Sequence, residues 1–211
     1  MLVYTAVFGR YDARKIHVPQ TTPTEYAYFD DDFNPYLPSE LRDMHPRLKA
    51  KYYKLQPYAI PNYHEFDYVI WIDGSGTFIS PRSVETLVGY CRQGYAVFRH
   101  PARDCIYDEV EFCQDFEKYR QQPLAQQVAS YRQEGYPPHN GLYACGLIVR
   151  DTRKDFTALD ADWLAENLRW SYQDQLSFPY VLWKLGRTVD VIDLDLVHND
   201  YVTFLRDDWT R

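Results

Sequence analysis

The residues best suited to chemistry are carboxylates and cations that stand just beyond apolar runs. In Asp67-Tyr68-Val69-Ile70-Trp71-Ile72-Asp73-Gly74-Ser75, a buried-strand pattern ends in a carboxylate followed by two small residues. An aspartate there sits at the mouth of a sheet, where its oxygens bind a divalent cation or accept hydrogen bonds from ribose or sugar hydroxyls. Gly74 and Ser75 leave room for a diphosphate to approach the backbone. The plainer reading is an aspartate opening a turn. Upstream, Pro46 to Leu55 reads as a helix in which Leu48, Tyr52 and Leu55 form an apolar stripe. Arg47, Lys51 and Lys54 form the neighbouring stripe, outward-facing or lining a rim, with Lys49 on the opposite flank. Cations at a nucleotide cleft would neutralise a departing diphosphate, whereas a solvated amphipathic helix shows the same pattern.

Two further clusters follow the same logic. Arg99-His100-Pro101-Ala102-Arg103 follows a short apolar run, and His100 and Arg103 offer two cationic donors suited to an anionic or hydroxyl-rich group. Asp108, Glu109 and Glu111 open the next helix, where acidic residues suit the helix dipole without any function. Asp174-Gln175 begins another helix. Asp174 is there either an N-cap or a contact to a ligand hydroxyl that its carboxylate could deprotonate, with Gln175 holding a neighbouring hydroxyl. Gly-x-x-x-x-Gly-Lys-Ser/Thr, Gly-x-Gly-x-x-Gly, Gly-x-Ser-x-Gly and His-Glu-x-x-His are all missing. That removes the usual sequence support for P-loop enzymes, Rossmann dehydrogenases, serine hydrolases of that type and zincins.

These groups need a scaffold, and the apolar runs supply one. Val3 to Phe8, Tyr26 to Phe29, Tyr68 to Ile72 and Ala144 to Val149 read as strands, with Ala96 to Arg99 and Thr188 to Ile192 as weaker ones. Helices are expected at Pro46 to Leu55, Val84 to Arg92, Tyr107 to Arg120, Leu124 to Arg132, Trp163 to Trp170 and Gln175 to Leu185. Strands alternating with helices imply a mainly parallel sheet covered on both faces, with ligands at the carboxyl ends of its strands. Asp30 to Asp43, polar and containing prolines, reads as a flexible loop near a site.

The 211 residues suit one domain, 1–211, and no repeat, low-complexity tract or long linker divides them. A net charge of -7 argues against a nucleic-acid partner. The 20 tyrosines suit both a core and sugar contacts. Cys91, Cys105, Cys113 and Cys145 lack paired or zinc-like spacing and read as buried apolar residues in a reducing, cytoplasmic setting. No run approaches the length that spans a bilayer, which leaves peripheral membrane association open.

Taken with the strand Val7-Phe8-Gly9-Arg10-Tyr11-Asp12 and the basic helix Lys49-Ala50-Lys51-Tyr52-Tyr53-Lys54-Leu55-Gln56-Pro57, the Trp71 to Ser75 motif resembles GT-A glycosyltransferases. More closely, the chain is similar to a family of glycosyltransferase-like domains in bacteria and in plant Golgi proteins linked to cell-wall polysaccharide. Arg99 to Arg103 with Tyr107 and Glu109, and Asp174-Gln175-Leu176-Ser177-Phe178, are its other matching blocks. The resemblance implies a nucleotide-sugar donor contacted by Phe8, Gly9, Tyr11 and Asp12, by Lys49, Lys51 and Lys54, and by Asp73, Gly74 and Ser75. It implies substrate contacts at His100, Arg103 and Glu109, chemistry at Asp174 and Gln175, and a glycan or glycolipid acceptor. Most GT-A enzymes carry Asp-x-Asp where this chain has Asp73-Gly74-Ser75, and a late histidine often completes their metal shell. By that resemblance Asp73 and His198 would share Mn²⁺ or Mg²⁺ with the donor diphosphate. The alternatives are a non-catalytic nucleotide-sugar or glycan binding module, or a lipid amide or glycoside hydrolase.

Overall fold

A computed structural model describes residues 1–204. Its centre is a six-stranded sheet built from β1 (Leu2–Val7), β2 (Glu25–Asp30), β3 (Tyr68–Ile72), β5 (Tyr95–Arg99), β6 (Tyr143–Asp151) and β7 (Asp190–Ile192), in the order β2-β1-β3-β6-β5-β7. Only β6 runs against the others, so the sheet is mainly parallel, as the alternation of strands and helices predicts. A separate pair, β4 (Gly76–Phe78) with β8 (Val202–Phe204), is too short to carry a periodic signal and escapes sequence reading.

Strand side chains alternate between two cores, as the pleat requires. Leu2, Tyr4 and Ala6 of β1 with Val69 and Trp71 of β3 face the larger core. That core is covered by α1 (Pro46–Leu55), α3 (Ile106–Cys113), α4 (Leu124–Gln133), α5 (Thr157–Arg169) and α6 (Asp174–Lys184). Val3, Ile70 and Ile72 face the other way, onto α2 (Ser83–Gly89) and the β4–β8 pair. The helix expected from Tyr107 to Arg120 stops at Cys113, and Glu117–Tyr119 forms a single 3₁₀ turn. That break lets the Tyr119 hydroxyl donate to Gln173, 2.6 Å away. Among the described residues no helix is long and apolar enough to cross a membrane.

Arg150 on β6 is fully buried, and its guanidinium donates to Asp160 (2.8 and 3.0 Å), to the Tyr4 and Tyr95 hydroxyls and to the Lys54 carbonyl. These bonds satisfy a charge that would otherwise be prohibitive in the core. They also fasten the last turn of α1, carrying Lys54, to the sheet and to α5.

The sheet is locally distorted where it meets the functional groups. In the β5–β6 pairing, Val97 lies opposite Ile148 but the next residue, Phe98, lies opposite Ala144, so Cys145 to Leu147 bulge out of register. The bulge carries the Gly146 carbonyl to the Asp73 amide, 2.7 Å away. Space is tight on both sides of this contact, most of all at Gly74. A Cβ at Gly74 would stand 2.4 Å from Val7, and one at Gly146 would meet the Phe204 ring at 3.1 Å.

Candidate active site

The carboxyl ends of β1 and β3, the cleft-facing side of α1 and the start of α6 enclose a cleft of about 790 Å³ up to its open mouth. Phe8, Tyr11, Asp12, Lys51, Asp73, Gly74, Asp174 and Gln175 all line it, so residues separated by more than 160 positions converge on one site.

At its floor lies a buried ionic network. The Lys54 ammonium, fully enclosed, stands 2.6 Å from Asp174 and 3.3 Å from Asp73. Lys51 also bonds the Asp174 carboxylate, whose other oxygen accepts from Asn167 at 3.2 Å. Asp73 further accepts from the Trp71 indole N–H at 2.7 Å. Burial raises the Asp174 carboxyl, but Lys51 and Lys54 outweigh it and hold the group below its ordinary value. For Lys54, burial pulls its proton affinity down while Asp174 and Asp73 push harder the other way, leaving it raised. Lys51 is lowered, because burial there exceeds what Asp174 returns. Asp174 and Lys54 are therefore both charged at neutral pH. A stripe of helical cations indicates a direction but no depth, and α5 and α6 close over Lys54 so that it lies beneath the cleft instead of on a rim.

Lys49 lies apart from this network, with its ammonium 6.0 Å from the centre of the Phe8 ring. It does not line the cleft. Gly9 is exposed and donates its N–H to Asp31 at 2.7 Å, while Ser75 is buried in the turn after Asp73. Neither of these lines the cleft. What the basic stripe does bring in is Arg47, whose guanidinium lies 4.4 Å above the Tyr11 ring and 5.7 Å from that of Tyr172. His45 stacks on Tyr172 at 5.0 Å and, through Nδ1, receives the Arg47 amide as the cap of α1. Tyr172 and Gln173 are cleft residues that sequence reading misses, since nothing in the motif before Asp174 distinguishes them from core.

His100, Arg103 and Glu109 line a small recess that shares Lys118, Tyr119, Gln173 and Gln175 with the cleft. They are not two free cations. Arg103 donates to Glu109 at 2.6 Å and covers the Phe112 ring at 3.8 Å. The other Glu109 oxygen accepts from Gln173 at 3.1 Å, and burial raises the Glu109 carboxyl against the pull of Arg103. His100 Nδ1 faces the backbone amides of Ala102 and Arg103 at 3.3 and 3.1 Å, which requires that nitrogen to be an acceptor.

Burial, helped by Arg103, pushes the His100 imidazole down to about 4. A histidine depressed in the folded state stays neutral there while the unfolded chain takes up a proton. Stability is therefore complete above about 6.5, the unfolded value, and falls as pH drops toward 4. The full difference is on the order of 3 kcal/mol. Urea denaturation at pH 7 and pH 4.5 should show most of it, and His100→Asn, which keeps an acceptor, should flatten that dependence. An unchanged slope in His100→Asn would assign the acid sensitivity elsewhere.

His198 is not part of the site. It sits between β7 and β8 with its side chain 82% exposed and its Nδ1 3.7 Å from the Asp195 carboxylate. The pairing of β4 with β8 explains why: Val202 lies opposite Phe78 and Phe204 opposite Gly76, so Phe204, and not His198, reaches the turn that carries Asp73. The ligand set expected for Mn²⁺ or Mg²⁺ is thus not assembled. Asp73 already accepts from Lys54 and Trp71, and among the described residues no trio of histidine, cysteine or acidic side chains gathers at the cleft.

No curated protein matches the chain. Among solved structures it is similar to the apo form of the WbbM bifunctional glycosyltransferase, with 11% identity over 90% of this chain and a TM-score of 0.49. It is also similar to apo mouse xyloside xylosyltransferase 1, with 13% identity over 81% of this chain and a TM-score of 0.42. The chain spans 38% and 63% of those two proteins respectively. The family model described as "TOD1/MUCI70, glycosyltransferase-like domain" matches residues 54–201, a stretch that includes Lys54, Asp73, the recess and Asp174. With more than two thirds of its length so matched, the chain belongs to the TOD1/MUCI70 glycosyltransferase-like domain family.

Proposed function

We propose that the cleft binds a nucleoside-diphosphate-sugar and that the protein transfers the sugar to a hydroxyl of a glycan or glycolipid acceptor. The observation that carries this reading is the placement of Lys51 and Lys54 against Asp73 and Asp174 at the carboxyl edge of the sheet. Tyr11, Arg47 and Tyr172 offer flat faces for a base, and Asp12 and Asp73 accept from ribose hydroxyls. Lys51 and Lys54, with Arg47 and Lys118 at the walls, attract the diphosphate. Gln175, whose amide has no partner among the described residues, is available to a hydroxyl of the transferred sugar.

In the reaction the acceptor oxygen bonds to the anomeric carbon as the bond from that carbon to the phosphate oxygen breaks. The electron pair leaves with the nucleoside diphosphate, and the hydroxyl proton passes to solvent or to that leaving group. Negative charge grows on the departing phosphate, where preorganised ammonium groups in a buried site stabilise it best. Asp174 is a poor base in this setting, because two lysines hold it ionised. Its part is to position Lys51 and Lys54.

The reading is tested by thermal-shift screening of UDP-, GDP- and ADP-sugars, followed by assay of released nucleoside diphosphate with glycan acceptors. Stabilisation by one nucleotide class and acceptor-dependent release are expected, and no stabilisation by any of them overturns the proposal. Because Lys51 in the cleft and Lys54 just beneath it supply positive charge beside Asp73 and Asp174, calorimetric donor affinity should agree within about twofold in Mn²⁺ and in chelator. A tenfold loss in chelator would mean that metal, and not lysine, neutralises the diphosphate.

A further inference from the structure

The four cysteines are free and buried, and their spacing carries no metal signature. The fold nevertheless assembles one. Cys105 is the N-cap of α3 and Asp108 lies three residues on, so the two share a face of the first turn. His139 reaches them from the loop between α4 and β6. One donor atom from each of Cys105, Asp108 and His139 lies within 4.8 Å of the others. Two features hold the histidine in place: its backbone is left-handed at φ 53°, and its Nδ1 lies 2.8 Å from Asp104. That conformation is uncommon for residues with a Cβ, although histidine adopts it more readily than most.

We propose that Cys105, Asp108 and His139 form a zinc site, with Asp104 orienting the imidazole and a fourth position left to water. A thiolate with an imidazole and one carboxylate suits borderline-soft Zn²⁺ far better than Mg²⁺ or Ca²⁺, which take oxygen ligands. Bond lengths of about 2.3 Å to sulfur and 2.0 Å to nitrogen require the donors to close by roughly 1 Å. Asp108 and His139 are exposed and can turn, while the buried Cys105 sulfur is the fixed floor. The positive end of α3 opposes a cation there, but the thiolate, Asp108 and Asp104 together outweigh a dipole equivalent to about half a charge. The ion would tie the start of α3, which carries Glu109, to the 134–142 loop. None of its ligands lines the donor cleft.

The experiment is a Co²⁺ titration of chelator-treated full-length protein, followed by absorption and then by Zn²⁺ displacement. One equivalent of Co²⁺ should produce a thiolate-to-cobalt charge-transfer band that Zn²⁺ abolishes. Cys105→Ser should remove the band, and His139→Ala should weaken Co²⁺ affinity by at least about tenfold. The His139 side chain is 63% exposed, so its loss leaves the fold intact if Cys105→Ser does not. Absence of the band in the native protein, its survival in Cys105→Ser, or unchanged affinity in His139→Ala would each overturn the site.

Discussion

Lys54→Met should destabilise the protein by about 3 kcal/mol or more, the low end of the cost of breaking a buried ion pair. The methionine fills the same channel between Trp71 and Trp163, so the loss is electrostatic and not a cavity. It leaves Asp174 with Lys51 and Asn167, and Asp73 with the Trp71 indole. Those remaining partners set the low end, since Asp174 is not stripped bare. The lowered Asp174 carboxyl sets the pH window. Its contribution is fully present above about 3.9, the unfolded value, and disappears as pH falls through the folded value, so measurement at pH 7 captures all of it. Urea melts of the native protein, Lys54→Met, Asp174→Asn and the double variant form the appropriate cycle. The double variant should recover stability relative to the sum of the singles, because neither charge is then left alone. A loss under about 1 kcal/mol in Lys54→Met would show that Lys54 is not paired as described.

The same lysine marks where sequence reading succeeds and where it stops. The 3.6-residue period of α1 correctly puts Arg47, Lys51 and Lys54 on one side, and the apolar run before Asp73 correctly makes a strand that delivers a carboxylate to the sheet edge. Both signals are local. Burial depth is not local: Lys54 is enclosed because α5 and α6, more than a hundred residues later, close over it. Register is not local either. A histidine after a strand reads as a ligand only if the pairing of β4 with β8 brings it to Asp73, and the observed register brings Phe204. The sequence puts His100 and Arg103 just after a strand, but charge in isolation does not reveal that Glu109 pairs with the arginine and that burial keeps the histidine neutral. The Cys105 and His139 pairing is invisible in the same way, depending on a loop turning back onto α3.

Asp174→Asn separates two roles that the sequence leaves open for this residue. The substitution keeps the shape and one oxygen acceptor but removes the charge that holds Lys51 and Lys54, so both ammonium groups lose their fixed aim at the diphosphate. Loss of such preorganisation is expected to reduce turnover on the order of 10²- to 10³-fold, with a smaller effect on donor KM. A general base would cost activity as well, so the rate alone does not decide. The pH profile does. If Asp174 removed the acceptor proton, the native enzyme would lose kcat along an acidic limb set by Asp174, and Asp174→Asn would erase that limb. If it positions the lysines, the variant retains the shape of the native profile at a lower level, since the carboxylate is already ionised across the working range. The measurement is donor-dependent release of nucleoside diphosphate from pH 3 to 9 for both proteins, the low end extending below the ordinary carboxylate value where a limb set by Asp174 would fall. A profile whose acidic limb vanishes in the variant would make Asp174 the base and overturn its assignment as the residue that aims the lysines.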